Sequence, residues 1–310
     1  MKHNKIVVKL LSSLSLSMFA LSALAADVNL YGKANLSLQS SDEGEGSFVE
    51  VKSNASRIGF KGSHDLEHGL TVIYQAEFGV DLDGDSERNF TSRNQYVGLA
   101  GSFGEVLLGK NDTMLRQSQG KAVLFNDLSG DIKVLWSGKN RLSDTVSYKT
   151  PTFNNFRVGV TYVAEESVEV DDGVSAAIFY GDAKLKKSKI FASIAVDSKV
   201  NGRDIKRATV QAHVGGGVTL GAILQTEERV DGSDGRDGVM VSAKYKVNKI
   251  TYKGQYQTAN FDSGDNRSGI SVGADYAFDK RTKLYTFYTS FDMDSEADED
   301  FLALGIEYKF

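Results

Sequence analysis

The stretch VNLYGKANLSLQ, residues 28–39, alternates strictly between two kinds of side chain. Every second position from Val28 to Leu38 is apolar or glycine, and the positions between them are polar or aromatic. Successive side chains of a β-strand point to opposite faces, so this period of two predicts a strand with one apolar and one wet face. The same alternation returns at residues 207–214 and 250–257. The chain is therefore expected to consist of long, two-faced β-strands.

Alternation alone does not separate a soluble β-sandwich from a membrane β-barrel, because both have one apolar and one polar face. The links between the strands favour the barrel. Short links at 215–217 and 247–249 alternate with longer acidic segments at 41–47, 81–89 and 292–300. Tight turns at one rim and long loops at the other are typical of outer-membrane barrels. The sequence thus predicts an all-β, antiparallel, up-and-down transmembrane barrel.

The strand count follows from the spacing of the alternating stretches. We expect about sixteen strands, each long enough for the about 9 to 11 residues that a tilted membrane crossing needs. Their expected starts lie near residues 28, 52, 70, 92, 105, 143, 156, 174, 188, 205, 218, 238, 250, 268, 283 and 301. A barrel of this size is too wide for its own side chains to fill, so an aqueous channel remains along its axis.

Residues 1–25 have the form of a secretory signal peptide. Lys2, Lys5 and Lys9 precede an apolar run at residues 10–24, which closes on the A-x-A cleavage pattern of residues 23–25. An uncleaved membrane anchor is the alternative, but the run is short for about 30 Å of hydrocarbon and ends in small residues. We therefore predict a cleaved leader followed by one barrel domain at residues 26–310.

Composition excludes several functional classes. The chain has no cysteine, so disulfides, thiolate metal sites and cysteine nucleophiles are unavailable. Loss of the three leader lysines changes the net charge from −5 to −5 − 3 = −8, and this acidity argues against nucleic acid as a partner. After the leader, no run of eighteen apolar residues could form a transmembrane helix. The single proline and the 13 tyrosines and 17 phenylalanines suit uninterrupted strands.

Catalytic and metal sites find little support in the sequence. His64 and His68 have the four-residue spacing of a helical zinc site, but they precede a glycine between two strand patterns, which favours a solvated turn. The segments 81–87 and 231–238 resemble calcium loops loosely, yet neither has the twelve-residue spacing with a terminal glutamate. Acidic surface loops, bridged to lipopolysaccharide by Ca²⁺ or Mg²⁺, are the preferred interpretation. We predict no enzymatic activity, no cofactor and no dedicated metal site.

The C-terminus carries the strongest local signal. Alternate residues from Leu302 to Phe310 form an apolar face that ends in a terminal aromatic residue. Such a last strand resembles the targeting signal that the bacterial outer-membrane assembly machinery reads. Tyr308 and Phe310 are therefore expected to act as the assembly signal, with that machinery as a partner.

Five segments spread over the chain resemble the Gram-negative trimeric porin family. They are LYGK at 30–33, SRIGFKG at 56–62, RNQYVGL at 93–99, FGEVLLG at 103–109 and KRTKLY at 280–285. The resemblance covers nearly the whole chain after the leader. It implies a homotrimer in the outer membrane of a Gram-negative bacterium, with a water-filled channel for passive diffusion of small hydrophilic solutes and ions.

The same resemblance implies where the channel narrows. The third loop, at about residues 111–139, would fold inward and set carboxylates opposite a ladder of basic side chains on the wall. Carried over residue by residue, the ladder would be Lys33, Arg57, Arg93 and Arg141, with Lys61 a weaker candidate. Segment 125–131 resembles the acidic tip of that loop, with Asp127 and Asp131 as its carboxylates. Val123 stands where some members place a second carboxylate, which puts a cation preference in doubt.

Periodicity supports the ladder independently at one point. Ser56, Ile58 and Phe60 share one face of a strand, so Arg57 must lie on the other face. A cationic side chain facing lipid costs about 2 to 4 kcal/mol near the membrane midplane, which favours the lumen. The alternative is that these arginines are scattered, solvated side chains.

Three functions are compatible with such a barrel. A general diffusion channel would give open, weakly selective conductance, whereas a substrate-specific channel would give saturable flux through a binding pocket. A structural or adhesive barrel would pass no current. The general basic ladder, and the lack of a long stack of aromatic residues in the sequence, favour the first.

Overall fold

The structure is a computed structural model that describes residues 28–85, 87–167, 171–294 and 296–310. The leader predicted at residues 1–25 lies outside the described residues. The strands are β1 Val28–Asp42, β2 Ser47–Ser53, β3 Arg57–Asp65, β4 Thr71–Val80, β5 Phe90–Gly101, β6 Gly104–Asp112, β7 Arg141–Lys149, β8 Phe156–Val163, β9 Gly173–Gly181, β10 Ile190–Val200, β11 Arg203–Gly215, β12 Val218–Arg229, β13 Arg236–Val247, β14 Ile250–Phe261, β15 Asn266–Ala277, β16 Thr282–Asp292 and β17 Glu299–Lys309. One short helix, α1 Met114–Ser118, and the 3₁₀ turns Glu67–Gly69 and Ile132–Val134 complete the described elements. None of these helical segments is long and apolar enough to cross a membrane.

The strands form a closed antiparallel barrel. From β3 onward each strand pairs with the next one in the chain, and β17 returns to pair with β1 from Lys33 opposite Lys309 to Asp42 opposite Asp300. The last residue joins the closure, since the Gly32 amide donates to the Phe310 carbonyl at 3.0 Å. Closure removes the unpaired strand edges that would otherwise be exposed.

Seventeen strand segments make sixteen wall strands, because β2 and β3 both pair with β1 and are two halves of one strand. The interruption lies at residues 54–56, where Ala55 has a positive φ of 52°. Asn54 fills the gap from the inside, and its amide donates to the Ser37 hydroxyl at 2.8 Å and to the Tyr285 hydroxyl at 3.1 Å. The predicted sixteen-stranded antiparallel barrel is confirmed.

The two faces of the wall are inverted relative to a soluble protein. Apolar side chains point outward, with Ile194 67% and Leu304 61% exposed. Polar side chains point inward and are buried, as at Thr209 and Gln211 on β11. A wall with this polarity is stable only where its outer surface meets hydrocarbon and its inner surface meets water.

The barrel has two different rims. At the rim where β1 begins and β17 ends, here called the terminal rim, most links are short, such as residues 216–217 and 248–249. The opposite loop rim carries longer segments, including residues 81–89 and 293–298. Links that depart from this pattern include residues 182–189, an eight-residue connection at the terminal rim, and residues 201–202, a two-residue turn at the loop rim.

The link between β6 and β7, residues 113–140, lies inside the barrel. Its buried side chains Phe125, Ile132, Leu135 and Trp136 pack against inward-facing residues of the wall. The wall residues of this cluster include Ile223, Met240, Phe287 and Phe291. The Trp136 indole also donates to the Thr258 carbonyl at 2.8 Å. This segment, called the third loop below, gives the barrel an internal apolar core and narrows its lumen.

Candidate functional site

A charged cavity of about 360 Å³ remains between the third loop and the facing wall. Its cationic lining residues are Arg57, Arg93, Arg116, Lys121 and Arg141, and its carboxylates are Asp112 and Asp127. We call this space the charged cavity. It is defined by wall residues on β3, β5, β6 and β7 and by the beginning and tip of the third loop.

Adjacent wall strands carry an ordered row of charges, of which Arg57, Arg93, Asp112 and Arg141 line the cavity. From β1 round to β7 the row reads Lys33, Arg57, Glu77, Arg93, Asp112, Arg141. Lys33 lies directly opposite Arg57 in the β1–β3 register. The four ladder residues implied by the family resemblance are thus brought together on one side of the lumen.

Glu77 on β4 joins two of the arginines. Its carboxylate lies 2.6 Å from Arg93 Nε and 3.7 Å from Arg57 Nε. The Tyr31 hydroxyl donates to the same carboxylate at 3.0 Å. The Arg93 contact is a charge-assisted hydrogen bond, which is stronger than a neutral one, and the longer Arg57 contact is an ion pair.

A second carboxylate, Asp112, organises the other end of the row. It lies 2.9 Å from Arg141 Nε and 3.1 Å from Arg116 Nε. Arg116 lies on α1. The Thr113 hydroxyl caps the N-terminus of this helix, because it accepts a hydrogen bond from the Arg116 amide at 3.2 Å. Asp112 therefore ties the first turn of the third loop to the wall, and Arg141 also donates to the Asn94 side chain.

Asp127 is the carboxylate that the tip of the third loop presents to the ladder. It lies 3.4 Å from Lys33 Nζ and 3.7 Å from Arg57 Nη1. Burial raises the pKa of its carboxyl, but Lys33, Lys139 and Arg57 lower it by more, so the pKa lies below the ordinary 3.8. Asp127 is therefore charged throughout the physiological pH range.

Asp131 does not share this position. It is 1% exposed, and its carboxylate accepts the amides of Asp127 at 2.8 Å and Lys133 at 3.1 Å. It also forms an ion pair with Lys139 inside the loop. Asp131 faces the interior of the third loop and supports the turn that presents Asp127.

Lys61, the weaker ladder candidate, lies apart from the charged cavity. It follows Arg57 by four residues on β3, nearer the terminal rim, and is exposed. Its Nζ lies 5.2 Å from the centre of the Tyr31 ring, within cation–π range.

Four charged residues of the site were missed by sequence reasoning: Glu77, Asp112, Arg116 and Lys121. Glu77 carried a usable signal, because it alternates with Ala76 and Phe78 on β4 and so shares the inner face with Gln75. Arg116 and Lys121 belong to an irregular segment without periodicity. Their position depends on how the third loop packs inside the barrel.

The lining of the charged cavity has an excess of positive charge. Five cations face two carboxylates, a difference of 5 − 2 = 3. Val123, where a further acidic residue was considered, lines the cavity as an apolar side chain. Opposed fixed charges across a narrow aqueous passage produce a transverse field, and their excess sign sets which ions are favoured.

Within the described ranges, no group of three or more His, Asp or Glu side chains is arranged to hold a metal ion. His64 is exposed on β3, and His68 lies in the 3₁₀ turn with a positive φ of 62°. In the acidic link 230–235, Asp231 accepts the amide and the hydroxyl of Ser233, at 2.9 and 2.6 Å.

Comparisons with known proteins bear on both the fold and the family. A family model described as Gram-negative porin matches residues 12–296. The chain is 28% identical over 177 residues to major outer membrane protein P.IB of Neisseria sicca, covering 53% of this chain and 49% of that protein. It is 30% identical over 178 residues to protein P.IA of Neisseria meningitidis serogroup C, covering 50% and 46%. The chain thus spans about half the length of the curated relatives it matches.

Two solved structures have a similar fold. The anion-selective porin from Comamonas acidovorans has a TM-score of 0.73 at 20% identity, covering 91% of this chain and 99% of that chain. Salmonella typhi OmpF in complex with daunomycin has a TM-score of 0.74 at 18% identity, covering 91% and 97%. At these identities the likeness concerns the fold alone.

Proposed function

Because the chain belongs to the Gram-negative porin family, we propose that it forms a water-filled outer-membrane channel for passive diffusion of small hydrophilic solutes and ions. The observation that carries the proposal is the inverted wall: apolar outside, polar inside, with a charged cavity left open beside the third loop. Such a channel selects solutes by their size and by the electric field of its lining charges, without a catalytic step.

The orientation follows from the two rims. We infer that the terminal rim faces the periplasm and the loop rim faces the outside, because bacterial outer-membrane barrels have short periplasmic turns and longer external loops. A solute entering from outside then meets the third loop before it reaches the eight-residue link 182–189.

Reconstitution tests the channel directly. Purified protein added to planar bilayers is expected to give stepwise, ohmic currents, and liposomes containing it are expected to swell in isotonic solutions of small sugars. A barrel that inserts in its folded form but passes neither ions nor sugars would be structural or adhesive, and the proposal would fail.

The excess of positive charge in the charged cavity gives the channel an anion preference. Five cations against two carboxylates attract small anions and repel cations beside the third loop. The Comamonas acidovorans protein of similar fold is described as anion-selective. A salt gradient across the bilayer is expected to give a reversal potential of the sign set by anion flow.

Asp127→Asn is expected to strengthen this preference. A unit charge about 4 Å away is worth about 1 kcal/mol in water, so the anion-to-cation permeability ratio should rise roughly 2- to 5-fold. Since the pKa of Asp127 lies below 3.8, the difference from the native protein should persist at about pH 5. Reversal potentials measured at neutral pH and at about pH 5 give the permeability ratio of each protein. An Asp279→Asn variant, in an exposed turn at the terminal rim, is the control, and equal ratios in all three proteins would contradict the assignment of Asp127.

Assembly and partners complete the proposal. We propose a homotrimer, for which the family and the trimer form of Vibrio cholerae OmpT, of similar fold, are the support. Tyr308 and Phe310 project outward at the terminal rim, 44% and 46% exposed, as an assembly signal on the last strand would require. Acidic side chains at the loop rim would contact lipopolysaccharide through divalent cations.

A further inference from the structure

The link between β9 and β10, residues 182–189, is unusually long and basic for the terminal rim. It reads DAKLKKSK, whereas the links 216–217 and 248–249 have two residues. Its conformation is fixed by Asp182, whose carboxylate accepts the amides of Lys184 at 2.9 Å, Lys186 at 3.0 Å and Lys187 at 3.3 Å. These backbone bonds lower the pKa of Asp182. The one carboxylate of the link is therefore occupied by the backbone, and the lysine side chains are left exposed.

This link reaches into the lumen. Ala183 lines the charged cavity together with residues of the third loop. After burial, the proximity of Lys184 is the largest contribution that lowers the pKa of Lys121. A second cavity of about 590 Å³, called the inner cavity, lies against the link and shares Gln117 and Ala183 with the charged cavity. The two cavities are therefore adjacent.

The inner cavity carries a large excess of positive charge. Its cationic lining residues are Lys149, Arg157, Lys184, Lys186 and Lys187, against the single carboxylate of Asp182. Lys149 lies 3.2 Å from the Glu105 carboxylate. In the part of the chain that the structure describes, the other four cations have no carboxylate within 4.0 Å. Four cations without an ion-pair partner around one cavity attract anions.

Aromatic side chains form one wall of the same cavity. Phe179 on β9 and Phe191 on β10 both line it, with ring centroids 6.5 Å apart. Phe191 is held from behind by the third loop, because a Cβ added at Gly120 would lie 2.5 Å from its ring. Arg157 lies directly opposite Phe179 in the β8–β9 register. The cavity thus combines a rigid apolar surface with a basic rim.

We propose that the inner cavity is a binding site for aromatic carboxylates, above all dicarboxylates, on their way through the channel. The ring of such an anion would lie against Phe179 and Phe191, and its carboxylates would face Arg157 and the lysines of the link. The inference rests on the proposed channel function and adds a substrate class to it. Because the lysines are exposed and screened by salt, binding is weak and release is fast, as transport requires.

Current interruption by benzene-1,2-dicarboxylate tests the site. Added on the periplasmic side of a single reconstituted channel in chloride solution, this anion is expected to cause brief, concentration-dependent closures. Lys184→Gln with Lys186→Gln and Lys187→Gln should raise the half-blocking concentration roughly tenfold, because the variant removes three positive charges from the rim. A matched variant with Lys249→Gln, Lys280→Gln and Arg281→Gln removes three cations from other turns of the same rim and should block like the native protein.

The aromatic part is tested separately. Butanedioate has two carboxylates but no ring, and it should block several-fold more weakly than benzene-1,2-dicarboxylate in the native channel. Phe179→Leu should reduce that difference. Equal block by butanedioate, or an unchanged half-blocking concentration in the triple lysine variant, would overturn the inference while the chloride current still supports the channel. Absence of any current would instead remove the proposed function itself.

Discussion

Replacing Arg57 and Arg93 together by alanine is expected to widen the channel and to abolish its anion preference. Both side chains line the charged cavity, and both are held by Glu77, at 3.7 and 2.6 Å. Their removal leaves Arg116, Lys121 and Arg141 against Asp112, Asp127 and a newly uncompensated Glu77. With Glu77 counted in both proteins, the balance changes from five cations against three carboxylates to three against three.

The magnitude follows from the loss of two fixed charges close to the ion path. At about 1 kcal/mol for each in water, the anion-to-cation permeability ratio should fall roughly tenfold or more. Two shortened side chains should also raise single-channel conductance, by roughly 1.5-fold if the charged cavity limits the current. Reversal potentials and unitary currents measure both effects.

The control removes two arginines elsewhere. Arg229 is the exposed last residue of β12 at the loop rim and Arg281 lies in the turn before β16, so Arg229→Ala with Arg281→Ala keeps the charged cavity intact. Native-like conductance and selectivity are expected for it. If the Arg57 and Arg93 variant also behaves like the native channel, the ladder does not control permeation.

The wall of the barrel was predictable because it is local and periodic. The expected strand starts lie within two or three residues of those observed for β4 to β17, and the alternation correctly separated the inner from the outer face. The exception is the second wall strand, which begins earlier and is broken at residues 54–56. That break depends on Asn54 reaching Ser37 and Tyr285, the latter 231 residues away, and no local pattern reports such a contact.

The site was predictable only where residues lie on strands. Arg57 follows from alternation, and the family resemblance added Lys33, Arg93, Arg141 and Asp127. The sequence does not distinguish the roles of Asp127 and Asp131. They differ because the Asp131 carboxylate accepts hydrogen bonds from the loop backbone, at the amides of Asp127 and Lys133. The basic link 182–189 was likewise outside sequence reasoning, since its entry into the lumen depends on packing against the third loop.

The third loop keeps the charged cavity narrow only while its apolar anchor holds. Phe125 is fully buried two residues before Asp127, its ring centroid is 6.2 Å from that of Phe287, and Lys253 Nζ lies 4.9 Å from its ring. Polar contacts add to the anchor, as Gln255 accepts the Leu124 amide and donates to the Gly130 carbonyl, both at 2.9 Å. Phe125 is therefore the fully buried apolar contact of the tip, and the hydrogen bonds of Gln255 hold the backbone on either side of it.

Phe125→Ala is expected to loosen this tip without opening the barrel. Truncating a buried phenylalanine costs about 3 to 5 kcal/mol when a cavity remains, and here the loss falls on the loop, because the wall is held by its own strand ladder. Asp127 should then leave the ladder for part of the time. The expected record is a larger mean conductance with frequent transitions between sublevels, and closure at lower voltage than in the native channel.

Phe153→Ala provides the matched comparison, because Phe153 is 76% exposed and lies in the turn after β7. It loses the same side chain without a buried partner, so quiet, native-like currents are expected. Quiet currents from Phe125→Ala as well would mean that hydrogen bonds such as those of Gln255 suffice to hold the tip. Gating noise confined to the Phe125 variant would identify apolar packing inside the barrel as the force that keeps the loop in place. The charge pattern of the channel then depends on the same packing.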